Sequence, residues 1–204
     1  MSKPTLWIFA DWDETVTIHD TLKLIAPPDS FGPDAPPSFS FFVDCYLALL
    51  SEHNQSFGPR DSLERELQYL DSLGSVETAS IRKVEEYGLF RGVREVDIRE
   101  RAQKVEFRNG WKEFTEQAMK QTDVQLMGII SVNWSRVFIE SALRRIHDDA
   151  FIEQLDIRSN VLRSRSNYLA DDRNWKWILR EREQGAFTKE SRVGFVRHMT
   201  NSGK

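Results

Sequence analysis

Cysteine is almost absent from this sequence, and long apolar runs are missing. Cys45 is the only cysteine among 204 residues, so no intramolecular disulfide is possible. No stretch approaches the roughly 20 consecutive apolar residues that a membrane-spanning helix needs. The N-terminus also lacks a signal-peptide pattern, because Asp11 interrupts the first apolar run after five residues. These absences favour a reducing, cytoplasmic setting.

The chain also has little excess charge of either sign. Its 28 basic and 32 acidic residues leave a net charge of −4, which gives no general basis for attraction to nucleic acid or to a membrane. The hydrophobic fraction of 40% and the charged fraction of 29% are ordinary for a soluble globular protein. A chain of this length can bury one sizeable core and still hold an inserted subdomain.

An apolar run that ends on an acid stands near the N-terminus. Leu6–Ala10 is the short, unbroken run typical of a strand buried on both faces, and Asp11 follows at once. Asp13 comes two residues later, so a continuing strand or a tight loop keeps both carboxylates near one site. The hydroxyls of Thr15 and Thr17 follow. Two close carboxylates indicate a hard-cation site or acid/base chemistry.

The next part of the chain changes from loop to helix. Residues 27–40 contain five prolines and a glycine, which predict a loop. The apolar period then becomes helical up to about residue 107. Asp61 or Ser62 is available as the N-cap of one of these helices. The expected helices start at residue 41 and continue over 62–73, near 76–87 and over 96–107.

A second apolar run, Gln125–Ile130, ends on a hydroxyl residue, Ser131. Because the strand ends of an open α/β sheet gather at one edge, Ser131 is expected to approach the site of the two aspartates. A helix is expected over 135–146, shortly after Asn133. Backbone N–H groups at such a helix start favour a phosphate.

These segments together resemble the haloacid dehalogenase (HAD) superfamily. The strand followed by Asp11-Trp12-Asp13-Glu14-Thr15-Val16-Thr17 is similar to its first motif, hhhhDxDxT[LV][TV], with Glu14 where glycine is commonest. The continuation to Thr21 is similar to the phosphoserine phosphatase-like branch, which includes fungal HAD-like proteins. The strand ending on Ser131 resembles the second motif. Residues 108–111, Arg-Asn-Gly-Trp, resemble the FRxGW turn of related phosphatases.

The resemblance implies an α/β fold with a Rossmann-like parallel sheet and an inserted all-helical C1 cap. Residues 1–20 and 108–204 would form the core, and residues 21–107 would form the cap that selects the substrate. A third core strand is expected over 155–162, and alternating tryptophans predict a half-exposed β-ribbon over 174–179.

The last two motifs of the family are harder to locate. The third motif is a lysine at the start of a helix, where Lys189 keeps the residue type and Arg192 matches the spacing. The fourth motif is an apolar strand ending in GDxxxD or DD, whose acid completes the Mg²⁺ site. The sequence as far as Lys204 shows no such strand, and Asp171-Asp172 reads better as a turn. We therefore expect a core that is truncated at its C-terminus.

By this resemblance, the complete site is that of a phosphatase for a small phosphorylated metabolite. Asp11 would attack phosphorus, and Asp13 would protonate the leaving group and then activate water. Thr15 would position Asp13, and Mg²⁺ would be held by Asp11, by Asp13 through its backbone carbonyl, and by the fourth-motif acid. The side chains that would bind the phosphate and neutralise its charge are Ser131, Asn133 and Lys189.

Two other functions stay open. The missing fourth-motif acid is compatible with a catalytically inactive HAD-like binding or regulatory protein. A phosphotransferase or a dehalogenase would use the same first aspartate, although Asp13 marks the phosphoryl-transfer branch of the family.

Without the fourth strand, Leu6–Ala10 would be unpaired along one side. Such an apolar edge predicts poor solubility or self-association.

Overall fold

A three-stranded parallel sheet forms the centre of the fold. The computed structural model describes residues 5–29, 35–164 and 177–180. The strands are β1 (Leu6–Asp11), β2 (Val124–Ile130) and β3 (Asp156–Arg158), in the order β1-β2-β3. Both neighbouring pairs are parallel, and Asp11 lies opposite Ile130. The expected α/β class is therefore confirmed, and the carboxyl ends of β1 and β2 share one edge.

Eight helices occur within the described residues. They are α1 (Leu22–Ile25), α2 (Phe39–Phe57), α3 (Leu63–Ser72), α4 (Gly74–Tyr87), α5 (Glu95–Ala102), α6 (Trp111–Ala118), α7 (Arg136–Leu143) and α8 (Asp149–Gln154). The Ser62 hydroxyl accepts a hydrogen bond from Arg65 N at 3.2 Å, which confirms Ser62 as the N-cap of α3. Within the described part of the chain, no helix combines the length and the apolar character that crossing a membrane requires.

Residues 35–91 form a helical unit of α2, α3 and α4. Its apolar centre is a buried cluster of Leu50, Tyr69, Leu70, Leu73 and Val76. The Tyr69 hydroxyl donates to Asn54 Oδ1 at 2.5 Å, and the Arg60 guanidinium lies 4.1 Å from the centre of the Tyr69 ring. The Tyr69 ring therefore packs in the cluster, and its hydroxyl is hydrogen-bonded to Asn54.

Helix α5 belongs to the compact unit that contains the sheet. Its Arg99 Nη1 donates to Ser141 Oγ in α7 at 3.2 Å, and Arg101 Nη1 donates to Ile25 O at 2.8 Å. The helix predicted over 96–107 is wrong beyond Ala102, because the chain there turns back towards the first loop. Ile18 N donates to Glu106 O at 2.9 Å and Arg108 N to Val16 O at 3.0 Å. The domain ranges 1–20 with 108–204 and 21–107 stay a prediction.

The sheet is buried mainly on β2 rather than on β1. Leu6 and Trp7 are 48% and 63% exposed, so the prediction that β1 is buried on both faces is wrong at its start. Among the described residues, β1 has a strand partner on the β2 side alone. The buried apolar residues of β2, β3 and α7 include Met127, Ile129, Phe138, Ile139, Leu143 and Ile157. Self-association through the β1 edge stays a prediction.

The third core strand expected over 155–162 is interrupted at Asn160. Asn160 N donates to Asn133 O at 3.2 Å, and Asn160 Nδ2 donates to Val132 O at 2.9 Å. These bonds turn the backbone towards the loop after β2 and end β3 at Arg158. The chain continues as β4 (Val161–Ser164), which pairs with β5 (Trp177–Arg180) in a separate two-stranded sheet. The strand expected in the predicted ribbon is thus confirmed for residues 177–179.

Candidate functional site

The chain makes a tight turn over residues 12–16, directly after β1. Thr17 N donates to Trp12 O at 3.0 Å and closes the turn. The Thr17 hydroxyl donates to His19 O at 2.7 Å and accepts from Glu14 N at 3.2 Å. Glu14 has a left-handed backbone with φ of 57°. A residue with a side chain pays about 1–2 kcal/mol for that conformation, whereas glycine adopts it readily.

Arg108 holds the strained peptide of Glu14. Its Nε and Nη2 donate to the Glu14 carbonyl oxygen at 3.0 Å and 2.6 Å. Because the guanidinium presents its donors in a rigid plane, two contacts to one oxygen fix the direction of that carbonyl. The segment that resembles the FRxGW turn therefore supports the loop between the two aspartates and the first helix.

Asp11 is the more accessible of the two aspartates. It is the last residue of β1, its side chain is exposed, and its Oδ1 accepts from Trp12 N at 2.8 Å. The carboxyl end of a parallel strand is where open α/β sheets bind ligands. The Asp11 carboxylate is therefore placed where a solvent-borne reactant can reach it.

Asp13 is buried, with 4% of its surface exposed. Its Oδ1 accepts two hydrogen bonds from Thr21, at 2.8 Å from the backbone N and at 2.6 Å from the hydroxyl. Burial raises the pKa of Asp13 to about 7, and the negative charges of Asp20 and Asp11 add to that rise while the Thr21 bonds oppose it. A carboxyl that exchanges its proton near neutral pH suits general acid/base chemistry.

The Thr21 hydroxyl links the loops that follow β1 and β2. It accepts from Trp12 Nε1 and from Asn133 Nδ2, both at 3.0 Å. Asn133 Oδ1 in turn accepts from Ser135 N at 3.1 Å. Sequence reasoning missed the roles of Thr21 and Trp12. A threonine before an apolar helical turn is typical of an N-cap, whereas this side chain turns back towards Asp13.

The predicted site residues have different surroundings in the structure. Ser131 directly follows β2, is buried, and its hydroxyl accepts from Asn133 N at 3.0 Å. The Asn133 amide contacts Thr21 and Ser135, and its phosphate-binding role stays a prediction. Thr15 is exposed, and the hydroxyl that contacts Asp13 is that of Thr21. The following predicted residues lie outside the described residues: Lys189, Arg192, Asp171 and Asp172.

The chemistry of the two aspartates can be compared with what Mg²⁺ requires. Mg²⁺ prefers oxygen ligands and is often held by one or two carboxylates together with waters and substrate phosphate. Asp11 and Asp13 offer such oxygens. Within the described ranges, no group of three or more acidic, histidine or cysteine side chains is placed to hold a metal ion. The donor set therefore fits Mg²⁺ in kind, with the Asp11 carboxylate and the backbone carbonyl of Asp13 as the candidate ligands.

Comparison with known proteins gives distant similarities. No protein-family model matches the chain. The chain is 28% identical over 152 residues to a CTO1 family protein of Schizosaccharomyces pombe. The matched region covers 74% of this chain and 54% of that protein. A solved structure described as a phospho-aspartyl intermediate analogue of phosphoserine phosphatase has a TM-score of 0.40 and 12% identity, covering 85% of this chain and 62% of that one. The chain thus spans about half the length of its curated relative.

Proposed function

We propose that this chain is a HAD-type phosphatase that hydrolyses a small phosphomonoester through an aspartyl-phosphate intermediate on Asp11. One observation carries the proposal: an exposed aspartate at the end of a parallel strand lies two residues before a buried aspartate held by Thr21. The two environments separate the roles, because the exposed carboxylate is available as a nucleophile and the buried carboxyl retains a proton. The motif resemblance supports the same assignment.

The reaction then has two steps. In the first, an Asp11 carboxylate oxygen forms a bond to phosphorus, the bond from phosphorus to the leaving oxygen breaks, and Asp13 gives its proton to that oxygen. In the second, the Asp13 carboxylate takes a proton from water. The water oxygen attacks phosphorus, the bond from phosphorus to Asp11 breaks, and inorganic phosphate leaves.

The remaining residues act on the phosphate or on the aspartates. Ser131 would donate a hydrogen bond to a phosphate oxygen, and Lys189 would neutralise its charge. Asn133 would support the Asp13 network, and Thr15 would contribute to the loop. Mg²⁺ held by the Asp11 carboxylate and the backbone carbonyl of Asp13 would neutralise the phosphate oxygens that repel an anionic nucleophile. A small phosphorylated metabolite, a cytoplasmic setting and the domain ranges given above belong to the same proposal.

A second candidate function is a non-catalytic HAD-like binding or regulatory protein. It is favoured by the absence, among the described residues, of a group of three or more acidic, histidine or cysteine side chains that could hold a metal ion. This alternative predicts that a phosphomonoester or inorganic phosphate binds without being turned over.

Phosphatase assays on the full chain separate the two functions. A panel of phosphomonoesters is assayed with and without Mg²⁺ for the wild type, Asp11→Asn and Asp149→Asn. Asp149 is an exposed acid at the start of α8 and serves as the matched control, because its surface ion pair with Arg144 contributes little. We expect turnover in the wild type and the control, and loss of turnover in Asp11→Asn. Equal turnover in Asp11→Asn would overturn the nucleophile assignment, and binding without turnover in the wild type would favour the second function.

A further inference from the structure

We propose that Thr21 is a positioning residue that holds the Asp13 carboxyl in one orientation, with Oδ1 as a fixed acceptor and Oδ2 left for proton transfer. This proposal rests on the phosphatase function for its catalytic consequence. Its structural part, the orientation of the carboxyl, follows from hydrogen bonds alone.

The donors around Thr21 determine where its hydroxyl proton points. A hydroxyl has one proton to donate and two lone pairs to accept with. Trp12 Nε1 and Asn133 Nδ2 both lie 3.0 Å from Thr21 Oγ1, and both are groups that donate. With both lone pairs engaged, the hydroxyl proton is directed to Asp13 Oδ1, 2.6 Å away.

The identity of the Asn133 amide nitrogen is fixed by a separate contact. Ser135 N is a backbone donor and lies 3.1 Å from Asn133 Oδ1. That oxygen therefore faces Ser135, and the amide nitrogen must face Thr21. Ser135 also caps α7 by accepting from Phe138 N at 3.2 Å, so the orientation of Asn133 is tied to the start of a helix.

The Asp13 oxygen that faces Thr21 is consequently unsuited to carry a proton. Oδ1 accepts from both the backbone N and the hydroxyl of Thr21, and protonating it would break at least one of these bonds. Oδ2 is left as the oxygen that gives and takes the proton. In the proposed reaction, a fixed Oδ2 keeps the proton in line with the leaving oxygen. A misplaced Oδ2 would lower the rate of the chemical step.

Two substitutions separate positioning from packing. Thr21→Val keeps the volume and removes the hydroxyl, whereas Thr21→Ser keeps the hydroxyl. We expect Thr21→Val to lower kcat by about tenfold or more with KM within about twofold, and Thr21→Ser to restore most of kcat. If Thr21→Val does not fold, Thr21→Cys replaces it, because a thiol is a weak donor of similar size. Unchanged kcat in the hydroxyl-free variant, or equal loss in Thr21→Ser, would overturn the proposal.

A double-mutant cycle tests the orientation without any assay of activity. The unfolding equilibrium is measured for the wild type, Thr21→Val, Asp13→Ala and the double variant. The lost contacts of Trp12 and Asn133 occur with and without Asp13, so they cancel in the cycle. We expect Thr21→Val to change the unfolding constant about tenfold more when Asp13 is present. No coupling would overturn the proposal, whereas coupling in a chain without turnover would retain the orientation and reject the phosphatase function.

Discussion

The loop of residues 11–21 and the helical unit of residues 35–91 bury their side chains by different means. The helical unit buries an apolar cluster that includes Leu70, and its helices follow apolar periodicity. The loop buries polar groups, among them Asp13, Thr17 and Thr21, and satisfies each of them with hydrogen bonds. Burying polar groups costs free energy unless they are bonded, so such a network is retained where orientation matters. The comparison teaches that the polar loop, and not the helical unit, carries the candidate chemistry.

The largest effect on stability is expected in the helical unit. Leu70→Ala removes a buried side chain from the apolar cluster and should lower the free energy of unfolding by about 2–5 kcal/mol. Leu63→Ala in the same helix is the matched control, because Leu63 is 77% exposed. Urea unfolding measures both. Equal losses in the two variants would contradict the packing described for this unit.

The loop should respond to pH in a way that the helical unit does not. The pKa of Asp13 is about 7 in the folded chain against an ordinary 3.8, so the folded state binds more protons between these values. The wild type therefore loses stability as pH rises from about 4 to about 7. Asp13→Asn accepts the same Thr21 bonds and stays neutral. It should be more stable than the wild type by about 2–4 kcal/mol at pH 8, and by little at pH 4.

Thermal unfolding in the presence of a chelator measures this difference without interference from metal ions. Asp97→Asn provides a contrast of opposite sign, because the hydrogen bonds from Arg94 lower the pKa of Asp97 to about 2. That variant should lose stability above pH 4 rather than gain it. A parallel pH dependence for Asp13→Asn and the wild type would contradict the buried, raised-pKa carboxyl.

The smallest effect is expected at the left-handed residue of the loop. Glu14→Gly removes a backbone penalty of about 1–2 kcal/mol and adds about 0.5–1 kcal/mol of unfolded-state entropy, so the net gain in stability should lie between about 0 and about 1.5 kcal/mol. Glu14→Ala is the matched control, since it keeps the Cβ atom and the penalty. Both keep the Glu14 carbonyl that Arg108 contacts. A glycine variant less stable than the alanine variant would contradict a strained left-handed backbone at residue 14.

Sequence reasoning predicted the local features of both regions and missed the distant ones. The Ser62 cap and the apolar strand β2 depend on residues that are close together in the sequence, and the structure contains both. The break after β3 and the role of Thr21 depend on Asn160 and Asn133, which are distant in sequence from their partners. No periodicity marks such contacts, because each depends on the register of the completed sheet.

The central claim is that Asp11 accepts the phosphoryl group while Asp13 donates a proton to the leaving oxygen. Acid quenching during turnover of a reactive phosphomonoester, followed by peptide mass mapping, tests this most directly. We predict one phosphoryl group on the peptide that contains Asp11, accumulation of this adduct in Asp13→Asn with a good leaving group, and no adduct in Asp11→Asn. Turnover with no adduct, or an adduct on another residue that persists in Asp11→Asn, would contradict the account.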